Sequence, residues 1–360
     1  MKLFELAVHP EKLHKNFKVI LDPARDAERA ELQRWAEGFP DRDNKFVQEL
    51  QTTFNSSFWE LYLNALFTDY GFDFDWSHAS PDFHLKHKAG EFIVEATTAN
   101  AADGKAKEWE KDPTTALESL KDMEFGPLNK EAMIRISNAL LGKLRAYRDK
   151  YQKLDHVKGK PFVVAIAPFE QPNFQYQYDR PIRAVLFDHY VDEDAYLKNP
   201  SAYPNGPEGV SLGFVEKANG ASVPLGIFLD DQWAEISAVV FSCVATWGKV
   251  DVLCRDPKIK GVVNSTWASK PHGRPVQRTG YRGGEYTETI ADGVQVFHNP
   301  NARHPLSPEV FRRSGVVQHY FDLSEGEWVY EEVDSCLHVR SVMLVGSAES
   351  FPSVIAPIKT

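Results

Sequence analysis

Cysteine is scarce: Cys243, Cys254 and Cys336 are the three in 360 residues, and no two stand in a C-x-x-C spacing. That excludes a disulfide-stapled scaffold and gives no support to a thiolate zinc site, and an odd number leaves one thiol over from any pairing. The three read as core or incidental thiols of a reducing compartment. Long apolar runs are also missing. The longest, "FVVAIAPF" (162–169) and "ISAVVFSCV" (236–244), fall far below the roughly 20 residues that cross a bilayer. The opening "MKLFELAVHPEKLHKNF" has no continuous apolar stretch followed by a small-residue cleavage site. A cytoplasmic protein with no membrane partner is the expectation. G-x-G-x-x-G, the P-loop, G-x-S-x-G and H-E-x-x-H are absent, which leaves nucleotide-dependent and serine-hydrolase chemistry without support. Net positive charge is lacking too: at −10 the chain cannot coat nucleic acid by bulk charge.

What is present is enough apolar material for a large core, 42% hydrophobic and 12% aromatic. The basic charge is concentrated rather than spread. From Lys130 to Lys160 nine Lys and Arg face three Asp and Glu, and from Arg255 to Arg282 seven face one. Such blocks are either solvated faces or anion-binding surfaces.

Periodicity divides the chain. Residues 1–50 carry helical spacing, as in "AERAELQRWAEGF", and read as a helical lead-in. "FNSSFWELYLNALFTDYG" (54–71) predicts a helix with Ser56 or Ser57 as its cap, Glu60 in the first turn and Gly71 at its end. Three strands follow, at 72–77, 82–88 and 91–98, the last two joined through Ala89 and Gly90. A long amphipathic helix over 129–154 puts Ile136, Leu140, Leu144, Tyr147 and Tyr151 on its buried side, with Lys143 at the border and Arg135, Arg145 and Arg148 opposite. "PFVVAIAPF" reads as a strand covered on both faces, and a helix near 180–197 and strands in "PLGIFL" and "ISAVVFSCV" come after it. The order α, β, β, β, α, β predicts an α/β fold with a mixed central sheet.

Alternation in the second and third strands places Asp82, His84 and Lys86 on one side and Ile93, Glu95 and Thr97 on the same side of the neighbour. With Ala89–Gly90 as the turn, Thr97 opposes Asp82 and Glu95 opposes His84. The two carboxylates then lie one diagonal step apart, roughly 7 Å between Cβ atoms, a span one hard divalent cation bridges. The plainer alternatives stand beside this: Asp82 as a turn residue accepting backbone N–H bonds, Glu60 as a first-turn acid favoured by the helix dipole, and Lys143 as a solvated side chain.

A helix bearing glutamate ("FWELYL"), a strand opened by "SPDFHL" and a next strand with "IVEATTA" resemble the PD-(D/E)XK nuclease superfamily, the restriction-endonuclease-like fold. The likeness covers about residues 51–170 and extends toward 245 if the later elements complete the sheet. "DRDNKFVQELQTTFNSSFWELYL", "VEATTAN" and "GVQVFHNPNARHPL" are also similar to a bacterial family of this length that brings no activity with it. The superfamily resemblance implies an αβββαβ nuclease core over 51–250, with 1–50 leading in and 251–360 as a C-terminal extension. It implies Asp82 and Glu95 as ligands of Mg²⁺ or Mn²⁺, the Ala96 carbonyl completing the shell, and Glu60 holding a metal-bound water. Thr97 stands where the superfamily has lysine, and Lys143 is the preferred substitute.

The expected activity is hydrolysis of phosphodiester bonds in DNA, or in RNA. Arg135, Arg145, Lys270, Arg274, Arg278 and Arg282 would track the backbone, Trp267 and Tyr281 would stack on bases, and a homodimer is among the assemblies to consider. The alternative is a degenerate module on the same fold that binds nucleic acid or a protein, with Thr97 the trace of lost catalysis. The stretch 255–284 also reads as a plain surface loop, and His298 and His304 in "FHNPNARHPL" as part of a structured turn rather than a zinc site.

Overall fold

The computed structural model describes residues 1–102, 104–110, 124–204, 206–254, 260–268, 276–281, 285–331, 333 and 335–345. Short helices α1 (Lys15–Ile20), α2 (Asp26–Trp35) and α3 (Phe46–Thr52) lead into α4 (Asn55–Asp69). The expected serine cap is not used. α4 starts from Phe54, whose φ of 56° lies in the left-handed region and whose side chain makes no cap bond. The Phe54 ring is buried and stacks 5.4 Å from Phe58, so seating that ring takes precedence over capping. The earlier start puts Glu60 in the second turn, beyond the reach of the terminal dipole. Phe58, Trp59, Leu61, Tyr62, Leu63 and Phe67 are all buried, the mark of a helix covered nearly all round.

Among the described residues, besides four strands of two or three residues in two small two-stranded sheets, the strands are β1 (Asp73–Phe74), β2 (Phe83–His87), β3 (Gly90–Thr98), β4 (Phe162–Ala167), β5 (Ala238–Phe241), β6 (Lys260–Ala268), β7 (Val276–Tyr281), β8 (Gln295–His298), β9 (Val317–Asp322), β10 (Glu327–Tyr330) and β11 (Cys336–Val345). The main sheet runs β1-β2-β3-β4-β5-β8-β9-β10. Its first pairs are antiparallel, β3-β4 and β4-β5 are parallel, and β5-β8 is antiparallel again. This is an α/β protein with a mixed central sheet.

The long helix α5 (Phe125–Asp149) begins four residues earlier than expected and ends before Tyr151, which lies in a following 3-10 turn. It covers the face that bears Phe162, since Tyr147 packs 4.7 Å from that ring. α4 covers the other face: Phe67 meets Phe83 at 5.3 Å, and Trp59 Nε1 donates to the Ala165 carbonyl at 3.0 Å. Every residue of β4 is buried between them, as its unbroken apolar run predicts.

Three expectations change farther along. The stretch 180–197 forms two helices, α6 (Arg180–Phe187) and α7 (Glu193–Lys198), because Asp188 turns left-handed at φ 49° and ends the first. "PLGIFL" is a strand only at Pro224; Ile227 and Phe228 instead donate their N–H groups to Val185 and Leu186 at the end of α6. Within the basic stretch, residues 260–268 and 276–281 are strands rather than loop: β6 and β7 pair with each other, and β6 with β11, in a second, antiparallel sheet.

One apolar core joins Leu3, Trp35, Phe162, Phe297 and Leu337, so the N-terminal helices and the C-terminal strands share it with the middle of the chain. Where β11 meets α8 (Trp247–Leu253) a charge cluster is wholly buried: the Glu288 carboxylate is clasped by Lys249 and Arg340, and Lys249 also donates to the carbonyls of Thr289 (2.9 Å) and Asp292 (2.8 Å). Removing the one carboxylate would strand two buried cations. Glu288→Gln is therefore expected to lower stability by about 3–5 kcal/mol in urea unfolding, and a loss under about 1 kcal/mol would show that the cluster is not held as a unit.

Candidate functional site

The hairpin of β2 and β3 turns at Lys88–Ala89, with His87 opposite Gly90. Gly90 itself is the first residue of β3 at φ 130°, a conformation that a side chain would resist. The register therefore differs by two residues from the one predicted with Ala89–Gly90 as the turn. Because a strand repeats every two residues, the face is preserved and the spacing tightens. One step beyond the pair Phe83 and Val94, Asp82 stands directly opposite Glu95, where Cβ atoms lie roughly 5 Å apart.

Asp82 precedes β2 and is tied to β3 by its Oδ2, which accepts the Ala96 N–H at 2.7 Å. The reading of Asp82 as an acceptor of backbone N–H thus holds together with its place beside Glu95. The carbonyl of a strand residue points the same way as its N–H, so the Ala96 oxygen also faces the Asp82 side rather than β4. Arg42, from the loop before α3, sets Nη2 4.0 Å from Asp82 Oδ1 and donates to the His78 carbonyl at 3.1 Å.

Glu95 is 5% exposed. Its Oε1 receives two donors, Lys143 Nζ at 2.9 Å from α5 and the Tyr151 hydroxyl at 3.0 Å. Its Oε2 is buried and has no hydrogen-bond partner among the described residues. An unmatched carboxylate oxygen in an apolar strand is costly unless something positive meets it. Thr97 lies two residues along the same face, half-buried, and brings no charge; Lys143 reaches Glu95 from the helix above.

The electrostatics follow from crowding acids in a poorly hydrated place. Burial, and next the Glu95 carboxylate, raise Asp82 to about 7, against the pull of Lys143, the Ala96 N–H and Arg42. Burial and then Asp82 push Glu60 well above the ordinary carboxylate range, with Arg42 opposing. Glu60 thus belongs to this group through its field. Burial and Glu95 hold the Tyr151 phenol in its protonated, donating form.

His84 is not opposite Glu95 but opposite Ile93. Its ring engages other acids, Nδ1 lying 3.5 Å from Asp75 Oδ2 and Nε2 lying 3.3 Å from Glu91 Oε2, with Lys160 Nζ 2.8 Å from the same Glu91 oxygen. Of the other expected contacts, Arg145 is exposed on α5, while Arg135 is half-buried and held by Glu131 at 2.7 Å. Arg278 is exposed on β7, its guanidinium over the Trp267 ring at 4.6 Å. Trp267 is itself buried, with Nε1 on Ser265 Oγ at 2.9 Å, so it is closed to bases; Tyr281 is exposed. Lys270, Arg274 and Arg282 lie outside the described residues. His298 pairs with Gln318 at 2.8 Å in the β8–β9 ladder, and Asn299 Nδ2 donates to the carbonyls of Trp233 and Ile236.

Arg42 and Tyr151 are the participants that sequence reasoning missed as members of this site. Tyr151 carried a signal, since it continues the i, i+4 series Lys143, Tyr147, Tyr151. Arg42 carried none, because its approach depends on how the lead-in folds back.

Among the described residues no three His, Cys, Asp or Glu side chains gather to hold a metal ion. A cation here would draw on two carboxylates, the Ala96 carbonyl and water, a hard-oxygen set suited to Mg²⁺ or Mn²⁺. The unpartnered Glu95 Oε2 fits that demand. No family model, curated protein or solved structure matches the chain.

The raised Asp82 has a consequence for stability. Between about pH 4 and pH 7 the folded chain holds a proton on Asp82 that the unfolded chain has released, so stability falls as pH rises through that window. Asp82→Asn keeps the acceptor for the Ala96 N–H and removes the charge. It is expected to match wild type at pH 4 and to exceed it by about 2 kcal/mol at pH 8 in urea unfolding. Equal differences at both pH values would contradict the assigned shift.

Proposed function

We propose that the chain is a Mg²⁺- or Mn²⁺-dependent nuclease of restriction-endonuclease-like architecture that hydrolyses phosphodiester bonds in DNA, with RNA as the alternative substrate. The succession α4, β1, β2, β3, α5, β4 supports this reading, as does the place of Asp82 before the second strand and of Glu95 within the third. The observation that carries it is the buried, unpartnered Oε2 of Glu95 beside Asp82, with Lys143 on the other oxygen.

Asp82 and Glu95 would hold the metal. Bound there, it lowers the pKa of a coordinated water and offsets charge on the phosphate. Lys143 supplies the positive charge that Thr97 cannot, and its ammonium can move from Glu95 toward a phosphate oxygen on the flexible lysine stem. Tyr151 keeps Glu95 oriented when Lys143 turns away. Glu60, drawn into the same field by Asp82, would orient the attacking water. Arg42 would steady Asp82, and exposed Arg145 and Arg278 would meet the strand. The degenerate-module reading rests on Thr97 alone.

Plasmid, linear and single-stranded DNA and a folded RNA, each with Mg²⁺ and with Mn²⁺, test the activity. Wild type should cleave at least one, and Asp82→Ala or Glu95→Ala should lose a thousandfold or more; absence of any cleavage, or cleavage intact in both variants, would defeat the proposal. Lys143→Met should keep Mn²⁺ binding in calorimetry and lose roughly a hundredfold or more in rate, with Lys143→Arg recovering part. A Lys143→Met enzyme as fast as wild type would remove that residue from the chemistry.

Metal must displace the proton that Asp82 holds up to about 7. Mn²⁺ affinity is expected to be flat above pH 8 and to weaken about tenfold per unit below pH 7, read by titration calorimetry. Affinity independent of pH would place the metal elsewhere.

A further inference from the structure

A cavity of about 430 Å³ opens where the chain leaves three adjacent parallel strands: its wall takes Glu108 from after β3, Phe169 and Gln175 from after β4, and Thr246 and Trp247 from after β5. The crevice beyond the carboxyl ends of parallel strands is where α/β sheets collect ligands, and this volume lies in the range of small-molecule sites. It shares no lining residue with the carboxylate group described above.

Two properties of the wall describe a ligand. The first is aromatic: Phe58 stands 6.3 Å from both Phe169 and Trp247, Phe54 5.4 Å from Phe58, and Phe174 5.4 Å from Phe169, so flat faces surround the space. The second is a surplus of donors. Asn55 Nδ2, Trp247 Nε1 and Arg340 Nε, all on lining residues, are buried and have no hydrogen-bond partner among the described residues. Asn55 is 4% exposed and Arg340 7%, so water does not readily satisfy them. Gly248 keeps the approach to Arg340 open, since a Cβ there would lie 3.1 Å from Nε.

Charge narrows the choice. Arg340 already meets the Glu288 carboxylate, and the Asp251 carboxylate on the wall pairs with Arg25 at 3.5 Å, so neither of these charges calls for a counter-ion from the ligand. What remains is a flat, neutral ring edged with acceptors. We propose that this cavity binds a nucleobase, delivered either by a free nucleoside or by a base swung out of a single strand.

Calorimetric titration of the full chain with adenosine, guanosine, cytidine and uridine tests this. At least one should bind saturably. Trp247→Phe keeps the ring and deletes its donor, Asn55→Asp replaces a donor by an acceptor, and Gly248→Ala fills the approach to Arg340; each should weaken binding tenfold or more while melting within a few degrees of wild type. Asp82→Ala should bind as wild type does, which separates this site from the nuclease reading. Displacement of the nucleoside by a short single-stranded oligonucleotide would identify a strand as the source, and its failure a free nucleoside. No saturable binding at millimolar nucleoside, or unchanged affinity in all three cavity variants, would overturn the proposal.

Discussion

The candidate site depends on one hydrogen bond, from the Ala96 N–H to Asp82 Oδ2. Asp82 lies outside the strand ladder, and without that bond nothing in the pairing of β2 with β3 would hold its side chain against Glu95. With the bond made, two carboxylates face each other across adjacent strands, an arrangement that repels unless positive charge is supplied. Arg42 and Lys143 answer part of the demand, and the neutral Tyr151 hydroxyl adds a donor. Asp82 answers the rest by keeping a proton to about pH 7, at a cost in stability that an apolar core would not incur. Under the proposed function a bound cation would relieve this cost.

Much of this was legible because strand alternation has a period of two. The turn was misplaced and the register came out two residues away, yet the assignment of Asp82 and Glu95 to one face survived, since an even slip cannot move a side chain through the sheet. Helical spacing set Lys143 at the border of the apolar stripe, and the resemblance made it the substitute for the lysine missing at Thr97. Several of the failures share a cause, a partner distant in sequence. Trp267 is buried because β6 pairs with β11, some seventy residues later, and no local pattern reports that. Arg42 reaches Asp82 because α2 and α3 pack on α4. The missing serine cap at α4 is a contest between local and tertiary preferences, settled by the burial of Phe54.

The far end of the sheet is organised by β11. Arg340 on that strand joins the buried charge cluster through its terminal nitrogens and also lines the cavity, and Ser341 and Val342 complete the same wall. The cavity is therefore finished by the last described strand, which pairs with β6 and not with the main sheet. Its shape depends on long-range pairing being complete, whereas the carboxylate pair is made within a short hairpin.

Lys143 stands on a helix, not on the strand that bears Glu95, and this sets how the site can be tuned. A lysine two residues along β3 would share a rigid backbone with its carboxylate, so their separation would be fixed by covalent geometry. Here the separation is fixed by how α5 rides on the sheet, through the contact of Tyr147 with Phe162. The gap between cation and acid thus becomes a property of side-chain packing, open to adjustment by core substitutions that never touch either residue.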